Sequence, residues 1–166
     1  MKLSYLLVAL LFTITCAGTL GAESVSEATK PNMKITTFET TPAGESKFRD
    51  IEIPLALQRD DGFGHTLSLS SPYASPNVQF VELPAGLDQD WHNAPARQIV
   101  VVLAGIIEVE TTDGARRQWR AGEAFLPADV TGRGHRTRCI DGAVRLLFAP
   151  LPEGFEFGES LDLDQS

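Results

Sequence analysis

The side chains best suited to chemistry are two histidines, His92 and His135, which lie 43 positions apart. Imidazole changes charge near neutral pH, so a facing pair can work as general acid and general base. Gln98 follows the first histidine closely and Asp90 precedes it. Three of these, His92, His135 and Gln98, are the candidate catalytic residues, suited to isomerisation, dehydration or cyclisation of a small enolisable molecule. With Asp90 the same residues are a candidate metal set. Two imidazoles and a neutral amide make a weak site by first-row standards, whereas two histidines and a carboxylate resemble the facial arrangement of non-haem iron. The ions to expect are iron, manganese, zinc, nickel or copper.

To meet, the two imidazoles must be carried on separate strands of a closed β-structure. Residues 34–38 read as a strand, and residues 48–57 alternate with Ile51, Ile53 and Leu55 on one side. Pro54 within that run assigns it to a sheet edge. Asp60, Asp61 and Gly62 break the run, residues 65–69 resume it, and residues 78–83 lead into the central stretch, 86–135. There, residues 99–103 are apolar throughout, Gly105 marks a bend, residues 106–111 alternate, and Asp113-Gly114 is a hairpin turn onto residues 116–120. Residues 124–127 and 143–149 supply two further strands. No stretch keeps a helical period, so the expectation is an all-β sandwich or barrel of ten or so short strands. If residues 90–94 are extended, Asp90, His92 and Ala94 share a face. Gln98, Val100 and Val102 then point inward from the next strand and His135 and Thr137 from a later one, with Arg136 and Arg138 outward.

In residues 78–149 the chain resembles the cupin superfamily. The first cupin motif falls on Gly86, His92, Ala94, Gln98 and Gly105, and the second on Gly122, Pro127 and His135. The resemblance implies a single-domain double-stranded β-helix, a jelly-roll barrel, with its site inside. Ala94 stands where the family usually has a second metal-binding histidine, so the ordinary ligand set is incomplete. The segment between Pro127 and His135 is also longer than usual, with Gly132 and Gly134 inside it.

The remaining residues bound the reading. A chain of 166 residues, 43% hydrophobic, suits one domain with a sizeable core. Residues 1–22 read as a signal peptide ending at Gly21 or Ala22, with Lys2 and an apolar run from Leu6 to Phe12 that is too short for a stable span. A secreted or periplasmic protein is therefore expected, with no membrane span after removal of the leader. Lipid attachment at Cys16 is the less favoured alternative, because Thr13-Ile14-Thr15 matches a small-residue box poorly. Residues 23–33 read as a flexible lead-in, 34–150 as the barrel, and 151–166 as an acidic tail. Losing the leader removes Lys2 alone among charged residues, so the net charge of −8 becomes −9, which disfavours nucleic acid as a partner. Cys139 is then the single cysteine, with no partner for an internal disulfide, and reads as a buried, inert thiol. His65 and Glu82 read as structural or surface groups. The apolar residues Ile99, Val101 and Leu103 predict a covered sheet face or a homodimer interface. A small-molecule enzyme leads the function classes, ahead of a ligand-binding barrel without chemistry and of a purely structural barrel.

Overall fold

The computed structural model of the protein describes residues 32–155 and residue 157. The leader, nearly all of the lead-in and the end of the acidic tail lie outside the described residues. Ten strands follow one another: β1 (Asn32–Thr40), β2 (Ser46–Pro54), β3 (Leu57–Asp60), β4 (Thr66–Leu69), β5 (Gln79–Leu83), β6 (Asp88–His92), β7 (Gln98–Glu110), β8 (Arg116–Arg120), β9 (Ala124–Ala128) and β10 (His135–Pro150). Eight of them form one sheet in the order β2-β1-β9-β7-β10-β5, with β6 added on β10 and β8 on β7, while β3 and β4 pair apart as a hairpin. The all-β class read from the sequence is the observed one. No helix among the described residues is long and apolar enough to cross a membrane.

Two long strands do most of the positioning. The runs expected at 99–103 and 106–111 are one strand, β7, and the separate strands expected near His135 and at 143–149 are one strand, β10. Gly105 bends β7 without ending it: its φ is +83°, and a Cβ there would stand 2.5 Å from the Ala143 carbonyl oxygen. Across from it, β10 loops outward at Asp141 and Gly142, both at positive φ, and the register between the two strands shifts there. Each strand therefore serves two halves. The first half of β7 pairs with β9 and the end of β10, and its second half pairs with β8 and the start of β10.

Alternation then places the core. Val100 and Val102 from one half of β7 and Ile107 and Val109 from the other join a single buried cluster with Phe125 and Leu146. Adjacent on β9, Phe125 and Leu126 point to opposite faces and belong to different clusters. Leu126 packs with Ile35 and Ile53 on the outside of the sheet, where the chain beyond β10 covers them with Leu151 and Phe155. The start of the expected acidic tail is thus docked. Tyr73, Phe155 and Phe157 pin it edge to face, with ring centroids 5.0 to 5.2 Å apart. Ile99 belongs to this covered face, whereas Leu103 and Phe80 stay exposed. Pro54 ends β2, which among the described residues pairs with β1 alone, as an edge strand should.

Candidate functional site

His92 closes β6 and His135 opens β10, and the two are direct partners in the antiparallel register. Their rings lie 4.5 Å apart between centroids, tilted by 53°. This approach depends on Gly134: a Cβ there would fall 2.1 Å from the His92 carbonyl oxygen, and its φ of +75° is a conformation that side chains disfavour. Both histidines line a cavity of about 240 Å³ inside the barrel.

Each ring is held through Nδ1. His92 Nδ1 is 2.7 Å from the backbone oxygen of Asp90, which can only accept, so the proton sits on Nδ1 and Nε2 keeps its lone pair. His135 Nδ1 is 2.7 Å from Asp129 Oδ2. Asp129 has no exposed surface, its other oxygen Oδ1 has no hydrogen-bond partner among the described residues, and the His135 ring is wedged edge-on against Phe38 at 4.7 Å. A buried carboxylate hydrogen-bonded to an imidazole fixes the tautomer and the orientation of that ring.

Asp129 escaped the sequence reading because nothing in its local pattern separates it from any loop aspartate. Its burial comes from the long segment after β9, which is stapled on two sides. Asn93 Nδ2 donates to the carbonyls of Asp129 and Thr131, and the Ala94 N–H donates to that of Asp129. On the other side Ser46 Oγ donates to the Gly134 carbonyl and the Arg133 N–H to that of Gly44.

Gln98 lies where expected, 5% exposed and on the cavity wall, and Thr137 and Ala94 line the same space. Asp90 does not. The register passes from His135–His92 to Thr137–Gln89, so β6 holds one extra residue in a bulge. The bulge exchanges faces: Gln89 lines the cavity, while the Asp90 carboxylate is 85% exposed and 3.5 Å from Arg136 Nε. Among the described residues no three of histidine, cysteine, aspartate and glutamate are grouped to hold a metal ion. What remains, two imidazoles and a neutral amide, falls short of the three strong protein donors that such sites use.

The residues expected outside the site are outside it. His65 is exposed beside Asp61, and Glu82 pairs with Arg145 in solvent. Arg136 and Arg138 point outward, but into an ion-pair lattice with Asp88, Glu108 and Glu110 rather than into free solvent. Cys139 is buried, and burial pushes its thiol pKa up, away from reactivity.

No protein-family model and no curated protein matches the chain. Solved structures do. A cupin 2 conserved barrel domain protein from Leptotrichia buccalis is similar at 17% identity and a TM-score of 0.38, over 64% of this chain and 53% of its own. An RmlC-like cupin from Shewanella frigidimarina is similar at 22% identity and a TM-score of 0.33, over 60% of this chain and 88% of its own. The cupin domain of Cnp3 from Schizosaccharomyces pombe is similar at 17% identity and a TM-score of 0.35, over 70% of this chain and 87% of its own. The strand order and the interior cavity together define the class: an all-β barrel with two histidines facing one another inside it.

Proposed function

We propose that this barrel binds a small organic molecule in its interior and moves protons on it, with His92 as general base and His135 as general acid. The observation that carries the reading is the facing pair itself, because its two members are held differently. His92 leans on a neutral carbonyl, so its Nε2 is a free acceptor, whereas His135 leans on the buried Asp129 carboxylate, which stabilises an imidazolium. In an enolisable ligand, His92 Nε2 takes a proton from the carbon beside a carbonyl while His135 Nε2 gives one to the carbonyl oxygen. The product of that step is the neutral enol; from a β,γ-unsaturated ketone it is a dienol, and return of the proton from His92 to the far carbon, with His135 taking back the enol proton, completes an isomerisation. The Gln98 amide, on the same wall, can donate to the oxygen where charge develops.

The test needs no knowledge of the natural substrate. In deuterated buffer the purified protein should exchange the α-protons of a neutral ketone such as α-tetralone faster than buffer does, followed by NMR. His92→Gln and His135→Gln should each lower that excess rate by about a hundredfold. If the unmodified protein and the double variant exchange at the same rate, the acid-base reading is wrong.

One observation favours a second reading. Both histidines are anchored at Nδ1 and keep Nε2, the arrangement that orients metal-ligating histidines. With Gln98 they would hold iron, manganese, zinc, nickel or copper through three donors, one of them weak. Elemental analysis of the purified protein decides it: near-stoichiometric metal that is lost in His92→Ala supports this reading, and exchange activity unchanged by chelation removes it. Export is part of the proposal and rests on residues 1–22, so the secreted chain should begin after Gly21 or Ala22 when its N-terminus is sequenced. The homodimer rests on the exposed Phe80 and Leu103 of one sheet face, and a monomeric mass by sedimentation would remove it.

A further inference from the structure

The cavity lining specifies the charge of what it takes. Its walls are Leu83, Val100, Ile107, Val109, Phe125 and Leu146 among others, and its polar groups are the two histidines, Gln98, Thr137 and Gln89. No lysine, arginine, aspartate or glutamate among the described residues lines it. A cationic His135 is already matched by Asp129, 2.7 Å away and fully buried, so no positive charge is left over for a ligand anion. The Asp129 carboxylate in turn lies behind the His135 ring, where a ligand cation cannot reach it. Every other strong charge nearby is turned outward: Arg136 and Arg138 pair with acidic groups on the far face of β10. Meanwhile Gln98 is 5% and Thr137 6% exposed, and neither side chain has a hydrogen-bond partner among the described residues. Buried amides and hydroxyls ordinarily have partners, so these two are left for a polar group of the ligand.

We infer that the ligand is an uncharged molecule of one or two rings, bound through an apolar body and carrying a carbonyl or hydroxyl oxygen that the Gln98 amide meets. Phosphorylated, carboxylated and ammonium-bearing metabolites are rejected, because burying an unpaired charge in such a site costs far more than the contacts return. Size follows from the volume: about 240 Å³ lies below the roughly 300–1,000 Å³ of pockets for drug-sized molecules. This inference rests on the cavity reading above and sharpens it, since a neutral enolisable ketone satisfies both.

The experiment is a calorimetric or ligand-observed NMR titration of the purified protein with three probes of equal bulk: α-tetralone, 1-naphthoate and 1-naphthylmethylammonium. The neutral probe should bind about tenfold or more tightly than either ion, and Gln98→Leu should weaken it by about fivefold with the circular dichroism spectrum unchanged. Equal or tighter binding of either ion overturns the inference, and so does a Gln98→Leu variant that folds and binds the ketone unchanged. The ratio among probes is read on the unmodified protein, so it stands even if that variant does not fold. Binding of none of the three overturns both this inference and the proposed function, whereas neutral selectivity without deuterium exchange supports the inference and removes the acid-base chemistry alone.

Discussion

Asp129 and Gly134 act on the site through His135 rather than on the ligand. Replacing the Asp129 carboxylate by an amide keeps its shape but removes the charge that stabilises an imidazolium, and the amide can present a donor to the wrong nitrogen. Asp129→Asn should therefore lower exchange by about a hundredfold or more while the melting temperature moves little. The shape of the pH profile of exchange should change as well, which a purely structural role would not cause. A variant that keeps the wild-type rate and profile would show that Asp129 only fills space. Gly134→Ala is different in kind, because the new methyl group meets the His92 backbone at 2.1 Å with no flexible end to yield. It should cost about 3 kcal/mol and separate the two rings, measured by denaturant unfolding and by loss of α-tetralone binding. Gly122→Ala, with nothing within 4 Å of its Cβ but a φ of +89°, is the control for conformational strain without the clash.

Among the elements, the segment after β10 carries more than its composition announces. An acidic run with prolines and glycines ordinarily stays loose, yet Leu151 and Phe155 are each 8% exposed and complete a cluster over β1, β2 and β9. Phe155→Ala removes a ring that packs on Tyr73 and Phe157, and its expected cost is about 3 kcal/mol. Because this cluster lies on the far side of β9 from the cavity, α-tetralone affinity measured well below the melting temperature should be unchanged. Loss of affinity in parallel with stability would mean that the outer cluster also shapes the cavity. The segment between β9 and β10 is the converse case. Asn93, Ser46 and Thr40 all hydrogen-bond to its carbonyls, so an irregular stretch is held firmly enough to bury a carboxylate.

For the molecule as a whole, charge is organised on the outside. The Arg49 hydrogen bond holds the Glu39 carboxyl below its ordinary value, and the Arg117 hydrogen bond does the same for Asp50. At Glu110 burial works in the opposite direction, but Arg138 and Arg116 overcome it and the net shift is downward. A folded value below the unfolded one means stabilisation that is present above the unfolded value and lost as pH falls through the folded one. The melting temperature should hold through neutral pH and drop as pH falls below about 4. Arg138→Met should make that drop shallower, as it removes a partner that holds the Glu110 carboxyl below its ordinary value. A variant whose melting temperature tracks the wild type at every pH would show that the lattice contributes nothing measurable, as holds for many exposed ion pairs.

Residue type and period two were enough to read the all-β class, the edge position of Pro54 and the inward row Gln98, Val100 and Val102, whereas setting the two histidines inside one barrel also drew on the resemblance carried by Gly86, His92, Gly105, Gly122, Pro127 and His135. The first three are local properties, because a strand turns alternate side chains to alternate faces whatever it pairs with. The tertiary structure decided the rest. One extra residue in β6 exchanged Asp90 for Gln89, and such a bulge exists only in relation to the partner strand that skips it. The runs on either side of the Gly105 bend proved to be one strand, since pairing with β10 continues on both sides of it. Asp129 became the partner of His135 through bonds to Asn93 and Ala94, residues some 35 positions earlier. The sequence by itself determined which side chains could take part, whereas which of them share a cavity followed from strand register and loop burial, properties of pairs of segments that no single segment contains.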